Sequence, residues 1–195
     1  MCKQAPSGFV SKLKKVLFLI AFLGVLALPQ IFISQETLDM TKTDIATTVE
    51  NVKSDIVEHA LIYAIIKQES VYGQFCIRYE PGLKKQAWYV NSLKPEERNY
   101  PYAYCSAGVM QVLLGVARSR GYQGSFYELM RNDTNISTGV SLLESLFRTY
   151  GNIKDVIAAY NGGGWAVSHK LNGVYPNQEY VNNVYAEYKN LGGKL

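Results

Sequence analysis

Histidine is nearly missing from this sequence: His59 and His169 are the only two in 195 residues. With Cys2, Cys76 and Cys105, the three cysteines, they form none of the close His/Cys spacings that hold zinc. No metal and no cofactor is therefore read from the sequence. No sustained alternation of apolar and polar residues marks a strand, and no segment repeats. Without strands, the strand–glycine loop–helix unit that cradles phosphate is excluded as well. An excess of positive charge is missing from most of the chain. Lys3, Lys12, Lys14 and Lys15 are the only charges before Gln35, and the remaining 16 Lys and Arg face 16 Asp and Glu. A chain balanced in this way lacks the electrostatic footprint of a nucleic-acid binder.

Long hydrophobic runs are also lacking, with one exception. Val16 to Leu28, VLFLIAFLGVLAL, is wholly apolar, is interrupted at Pro29-Gln30, and resumes at Ile31-Phe32-Ile33. Behind four lysines it reads as the hydrophobic segment of a signal peptide or a retained signal anchor, and both readings stay open. Residues 1–34 are thus the export segment, 35–43 a short polar linker, and 44–195 one domain of ordinary size. The positive end stays inside, so the rest of the chain is exported, either released or held at the membrane by the anchor. Cys76 and Cys105 then stand where a disulfide is permitted. A bridge and two thiols both remain open, because geometry decides.

Within the domain, helical spacing dominates. Ile45, Val49, Val52, Ile56, Tyr63 and Ile66 recur at three, four or seven residues, with no Gly or Pro between Asp44 and Ser70. That is one long helix or two in succession. Residues 71–104 carry Pro81-Gly82, Pro95, Pro101 and many aromatics, and read as an irregular insertion with one short helix near Leu83 to Val90. Val109, Val112, Leu113 and Val116 predict a helix ending near Gly121, and Ser125 to Glu128 a capping box. Further helices are predicted over Asn135 to Tyr150, from Ile153 to the glycines at 162–164, and over Gln178 to Leu191. The predicted fold class is all-α.

Glu69 breaks the pattern it belongs to. It follows Ile62, Ile65 and Ile66 by seven, four and three residues, so it projects from their apolar face. It also stands in the last turn, where the helix dipole disfavours an anion. Both circumstances raise a carboxyl pKa, which is what a general acid requires. A solvated glutamate paired with Lys67 or Lys84 is the bland alternative.

Two other stretches have the chemistry of a site without proving one. Ser106-Ala107-Gly108-Val109-Met110-Gln111 is a small-residue turn entering a predicted helix, where a ligand can approach closely. Ala159-Tyr160-Asn161-Gly162-Gly163 places polar side chains at a helix end. In order, Glu69-Ser70, Gly108-Val109-Met110-Gln111, Ala159-Tyr160-Asn161-Gly162-Gly163 and Tyr180-Val181 resemble the soluble lytic transglycosylase family, related to goose-type lysozyme. The resemblance covers Asp55 to Tyr188. It implies a lysozyme-like helical domain behind the N-terminal hydrophobic helix, acting on the β-1,4 bond between N-acetylmuramic acid and N-acetylglucosamine of peptidoglycan.

By the same resemblance, Glu69 is the single catalytic acid and later the base, and Ser70 supports it. Met110 and Gln111 line the cleft, Tyr160 and Asn161 shape the opposite wall, and Tyr180 reaches toward the catalytic carboxyl. The separation of Glu69 and Met110 exceeds the family spacing by the insertion, whose Arg78-Tyr79-Glu80-Pro81 resembles a phage or secretion-associated branch. The partners so implied are glycan strands, the inner membrane, and a secretion, pilus or phage assembly. Glu80, Glu96 and Glu97 are candidates for a second carboxylate, and Trp88, Tyr102 and Tyr104 for contact with sugar rings. A hydrolytic muramidase and a non-catalytic peptidoglycan-binding scaffold are the competing functions.

Overall fold

The computed structural model describes residues 44–73 and 75–195. The expected export segment and linker lie outside the described residues. Among those described, no helix is long and apolar enough to cross a membrane.

The run from Asp44 to Ser70 resolves as two helices, α1 over 44–50 and α2 over His59–Ser70. Ser54 separates them: its hydroxyl accepts from Ile56 N and Val57 N and donates to Glu144 Oε1 at 2.8 Å. α2 is the central helix. Its residues Leu61, Ile62, Ala64, Ile65 and Ile66 are inaccessible to solvent, and full burial of such a side chain stabilises by about 1.5–3 kcal/mol. The helix stops without glycine. Val71 and Tyr72 turn to positive φ, 52° and 65°, and the Val71 N–H bonds back to Lys67 O. A β-branched residue there is strained.

Residues 71–104 are more ordered than their composition suggests. They hold strand β1 (Ile77–Tyr79), helix α3 (Ala87–Ser92), and 3₁₀ turns at Pro81–Lys85, Pro95–Glu97 and Pro101–Tyr104. Each turn opens on a proline, whose fixed φ suits the first helical position. The single short helix expected near Leu83 to Val90 is therefore split at Gln86, which caps both pieces.

The segment is pinned to the core by two buried polar ties. Tyr89 donates its hydroxyl to Ala103 O (2.6 Å) and accepts from Gly115 N (3.1 Å), and burial pushes its pKa up to about 12. Arg118 binds Glu97 through both Nε and Nη2, with the two side chains 5% and 9% exposed. Burial alone raises the Glu97 pKa. The bonds from Arg118 and Lys94 N outweigh that and leave it below the usual range.

The all-α expectation holds for most of the domain but omitted a small sheet. β1, β2 (Cys105–Ala107) and β3 (Val112–Leu113) pair antiparallel in that order, with Ile77 opposite Ala107, Tyr79 opposite Cys105, and Ser106 opposite Leu113. Strands of two or three residues are too short to display alternation. The helix predicted over 109–121 is thus a β turn, then β3, then α4 (Leu114–Arg118). Register also rules out the Cys76–Cys105 bridge. Cys76 lies beside Gly108, whose N–H bonds to its carbonyl at 3.0 Å, while Cys105 pairs with Tyr79. Three residues of strand separate the positions by roughly 10 Å, more than a disulfide spans. The two are not bridged to each other; the Cys105 thiol contacts Pro101 O at 3.5 Å and the Cys76 thiol contacts Ser70 O at 3.8 Å.

Four helices complete the domain: α5 (Phe126–Leu129), α6 (Asn132–Tyr150), α7 (Ile153–Ser168) and α8 (Gln178–Asn190). The capping box is present, with Ser125 and Glu128 exchanging bonds. Gly151 ends α6 at φ 68°. The three glycines do not end α7; they interrupt it at Gly163, where φ is 64° and ψ −171°, and the helix resumes to Ser168. α8 packs on α2 and α7, and α7 on α6.

Candidate active site

α2 delivers Glu69 to the floor of a cavity of about 230 Å³. Gln68 and Glu69 come from α2, Arg78 from β1, Asn161 from α7, and Glu179, Tyr180 and Asn183 from α8. Glu69 is only 5% exposed, although its helix packs apolar residues on nearly every side. Burial raises its pKa. Opposing this, Tyr180 donates its hydroxyl to Glu69 Oε1 at 2.7 Å, and the Arg78 cation lies near enough to lower the pKa further. Glu80 acts in the upward direction, and the net result is a carboxyl held above its ordinary range.

Tyr180 is placed by the apolar face of α8, where Tyr180, Val181, Val184 and Tyr188 are buried at helical spacing. Tyr160 lies close by. Its hydroxyl donates to Met110 O at 2.8 Å, tying α7 to the β2–β3 turn. Burial raises both tyrosine pKa values well above the usual, and the neighbouring Glu69 raises them further. Both phenols are thus neutral donors.

Asn161 is held by a second amide. Asn177, at the cap of α8, donates its Nδ2 to Ala158 O and to Asn161 Oδ1, each at 3.0 Å. Ala158 O can only accept, so the atom facing it is the Asn177 amide nitrogen. Asn161 must then accept on its oxygen, which leaves its own NH₂ as a donor.

The sequence profile of the transglycosylase SLT domain family matches residues 48–183, more than half of the chain. The chain belongs to that family. Its members are lytic transglycosylases acting on peptidoglycan, a lysozyme-like helical class that agrees with the architecture described above. Among curated proteins, none matches the chain.

Of the residues singled out in the sequence, the transglycosylase domain gathers Glu69, Asn161 and Tyr180 around one cavity. The others stand behind it. Ser70 is buried and donates to Ile66 O at 3.1 Å. Met110 is inaccessible and fills the space that a Cβ on Gly139 would occupy, 2.5 Å from its sulfur. Its N–H is fixed by Asn135 Oδ1 at 2.7 Å, while Asn135 Nδ2 binds Ala107 O and Leu129 O. The Gln111 amide binds Cys76 O, Gly108 O and Ser106 Oγ. Met110 and Gln111 therefore brace the turn whose carbonyl holds Tyr160, rather than lining the cavity as expected.

None of the insertion's aromatic candidates, and neither Glu96 nor Glu97, lines this cavity. Trp88, Tyr102 and Tyr104 do not line the cavity, and Tyr104 is buried with its hydroxyl on Arg98 O. Glu96 is exposed elsewhere, and both Glu97 oxygens are bound by Arg118. Arg78, Glu179, Asn183 and Gln68 are the lining residues that sequence reasoning missed. Asn183 follows from the helical spacing three residues after Tyr180, and Glu179 from its place four residues before Asn183. Arg78 follows only from the sheet.

Proposed function

We propose that this domain cleaves the bond between N-acetylmuramic acid and N-acetylglucosamine with Glu69 as its single catalytic group, leaving a 1,6-anhydro-N-acetylmuramic acid end. The observation that carries the reading is the buried Glu69 carboxyl, raised in pKa and hydrogen-bonded by Tyr180 at the floor of an open cavity. Protonated Glu69 donates its proton to the glycosidic oxygen as the bond breaks. Positive charge developing on the muramoyl ring is stabilised by the substrate's own N-acetyl group, so no protein nucleophile is needed. The carboxylate of Glu69 then takes the proton of the C6 hydroxyl, whose oxygen closes on C1. Glu69 ends the cycle protonated, and no water is consumed.

Through the cycle, Tyr180 steadies the ionised form of Glu69 while burial favours the neutral form. Asn161, with its oxygen held by Asn177, offers its NH₂ to an acceptor on the sugar. Such a protein works on the outer side of the inner membrane, in keeping with the expected export segment.

Hydrolysis is the second reading, favoured by one observation: Glu179 is a further carboxylate lining the same cavity. It would activate a water in place of the C6 hydroxyl. Mass spectrometry of sugars released from purified peptidoglycan by the full-length chain separates the two. Anhydro ends are expected, and reducing ends would establish hydrolysis. Glu69→Gln is expected to abolish release by at least about 10²–10⁴-fold. Retained cleavage in that variant would remove Glu69 from the mechanism.

A further inference from the structure

Strand β1 runs along the edge of the small sheet with Ile77 and Tyr79 exposed and Arg78 partly covered. Alternation along the strand turns Arg78 to the face opposite its two neighbours, and it lines the cavity with Glu69. Its backbone is fixed there by pairing with Ser106 of β2, whose hydroxyl donates to Gln111 Oε1 at 2.9 Å and lies 3.4 Å from Arg78 O. The side chain is 41% exposed, so it meets solvent at the cavity rather than lying in the core.

One edge of the guanidinium is occupied, because Nε donates to Glu80 Oε1. The Nη1/Nη2 edge makes no hydrogen bond among the described residues. That edge is a planar fork of N–H donors matched to a carboxylate in bidentate geometry. Arg78 is the only cation among the described residues lining the cavity. The carboxylates nearby leave it available: Glu80 binds the other edge, Glu179 stands in solvent on α8, and Glu69 bonds Tyr180.

We infer that Arg78 is a specificity residue that seats a carboxylate of the glycan beside Glu69, and so selects muramoyl substrates over uncharged amino-sugar chains. The inference rests on the proposed function. Two sources of this chemistry exist in peptidoglycan: the lactyl carboxylate of a strand without peptide, and a carboxylate of the stem peptide where the lactyl group is amidated.

The test uses full-length Glu69→Gln protein, to prevent turnover, with and without Arg78→Gln and Arg78→Lys. Binding is measured for three probes of equal sugar length: a peptide-free muramoyl glycan, a peptide-bearing glycan, and a chito-oligosaccharide with no carboxylate. Arg78→Gln is expected to weaken one or both charged probes by about tenfold to a hundredfold and the uncharged probe far less. Whichever charged probe loses affinity names the source. Arg78→Lys should recover part of the loss, as a point charge without the fork. Equal losses for all three probes, or no loss for any, would overturn the inference while leaving the proposed function standing. If the wild type releases no sugar from peptidoglycan and the Glu69→Gln chain binds no probe, the reading of the whole site falls, and this inference with it.

Discussion

Replacing Tyr180 by Phe isolates a single hydrogen bond in the cavity. The ring is 9% exposed and packs on the buried face of α8, so Phe keeps the packing and removes only the hydroxyl that donates to Glu69 Oε1 at 2.7 Å. A hydrogen bond to a charged group contributes about 1.5–3 kcal/mol and one to a neutral group about 0.5–1.5 kcal/mol. The carboxylate form of Glu69 therefore loses more than the acid form, by about 1–1.5 kcal/mol. At about 1.4 kcal/mol per pH unit, the Glu69 titration should move upward by about one unit. A general acid must be protonated, so activity falls as pH rises through that titration. The alkaline limb of kcat/KM for glycan cleavage should consequently move up by about one unit in Tyr180→Phe, while thermal stability changes little. Coincident alkaline limbs for variant and wild type would refute the reasoning, because the limb would then belong to a group that Tyr180 does not touch.

Glu69→Gln should stabilise the fold as it abolishes cleavage. The folded-state pKa of Glu69 is raised chiefly by burial, so wild-type stability is greatest below the unfolded carboxyl value of about 4.3 and declines as pH rises through the folded value. The gain from Gln should thus be small in acid and grow toward neutral pH, by about 1.4 kcal/mol for each pH unit that separates the folded titration from the unfolded one; a gain independent of pH in denaturant unfolding would contradict this. Asn177→Ala should lower kcat/KM by about fivefold to tenfold, as the loss of one hydrogen bond predicts. In an Asn161→Ala background the same change should cost almost nothing. Additive losses in that double-mutant cycle would show that Asn177 does not act through Asn161.

The helical frame was legible because its periods are local. Leu143, Ile136 and Val140 on α6, or Val181, Val184 and Tyr188 on α8, recur at helical spacing whatever they pack against, and all are buried as that spacing requires. Glu69 was legible for the same reason, since an acid at the end of an apolar stripe has few places to go but inward. Three elements escaped this logic. A sheet of two- and three-residue strands is defined by pairing, in part between residues about 30 positions apart, as with Ile77 and Ala107, and pairing leaves no period in so few residues. The Cys76–Cys105 bridge was permitted by compartment and excluded by register. Met110 and Gln111, read as cleft residues, are consumed by the interior: one by the space over Gly139, the other by backbone groups of Cys76 and Gly108.

What the sequence by itself determined is a mostly helical domain with one carboxyl forced toward its core. Hydrophobic burial acts through side-chain spacing along the chain, and spacing is written in order. The family resemblance pointed Tyr180 at that carboxyl, but the bond it makes there and the presence of Arg78 were decided by the tertiary structure. Tyr180 and Arg78 reach it from α8 and β1, 111 and nine residues away along the chain. A hydrogen bond or a nearby charge depends on separations of a few ångströms, and those arise only when α2, the sheet and α8 have packed.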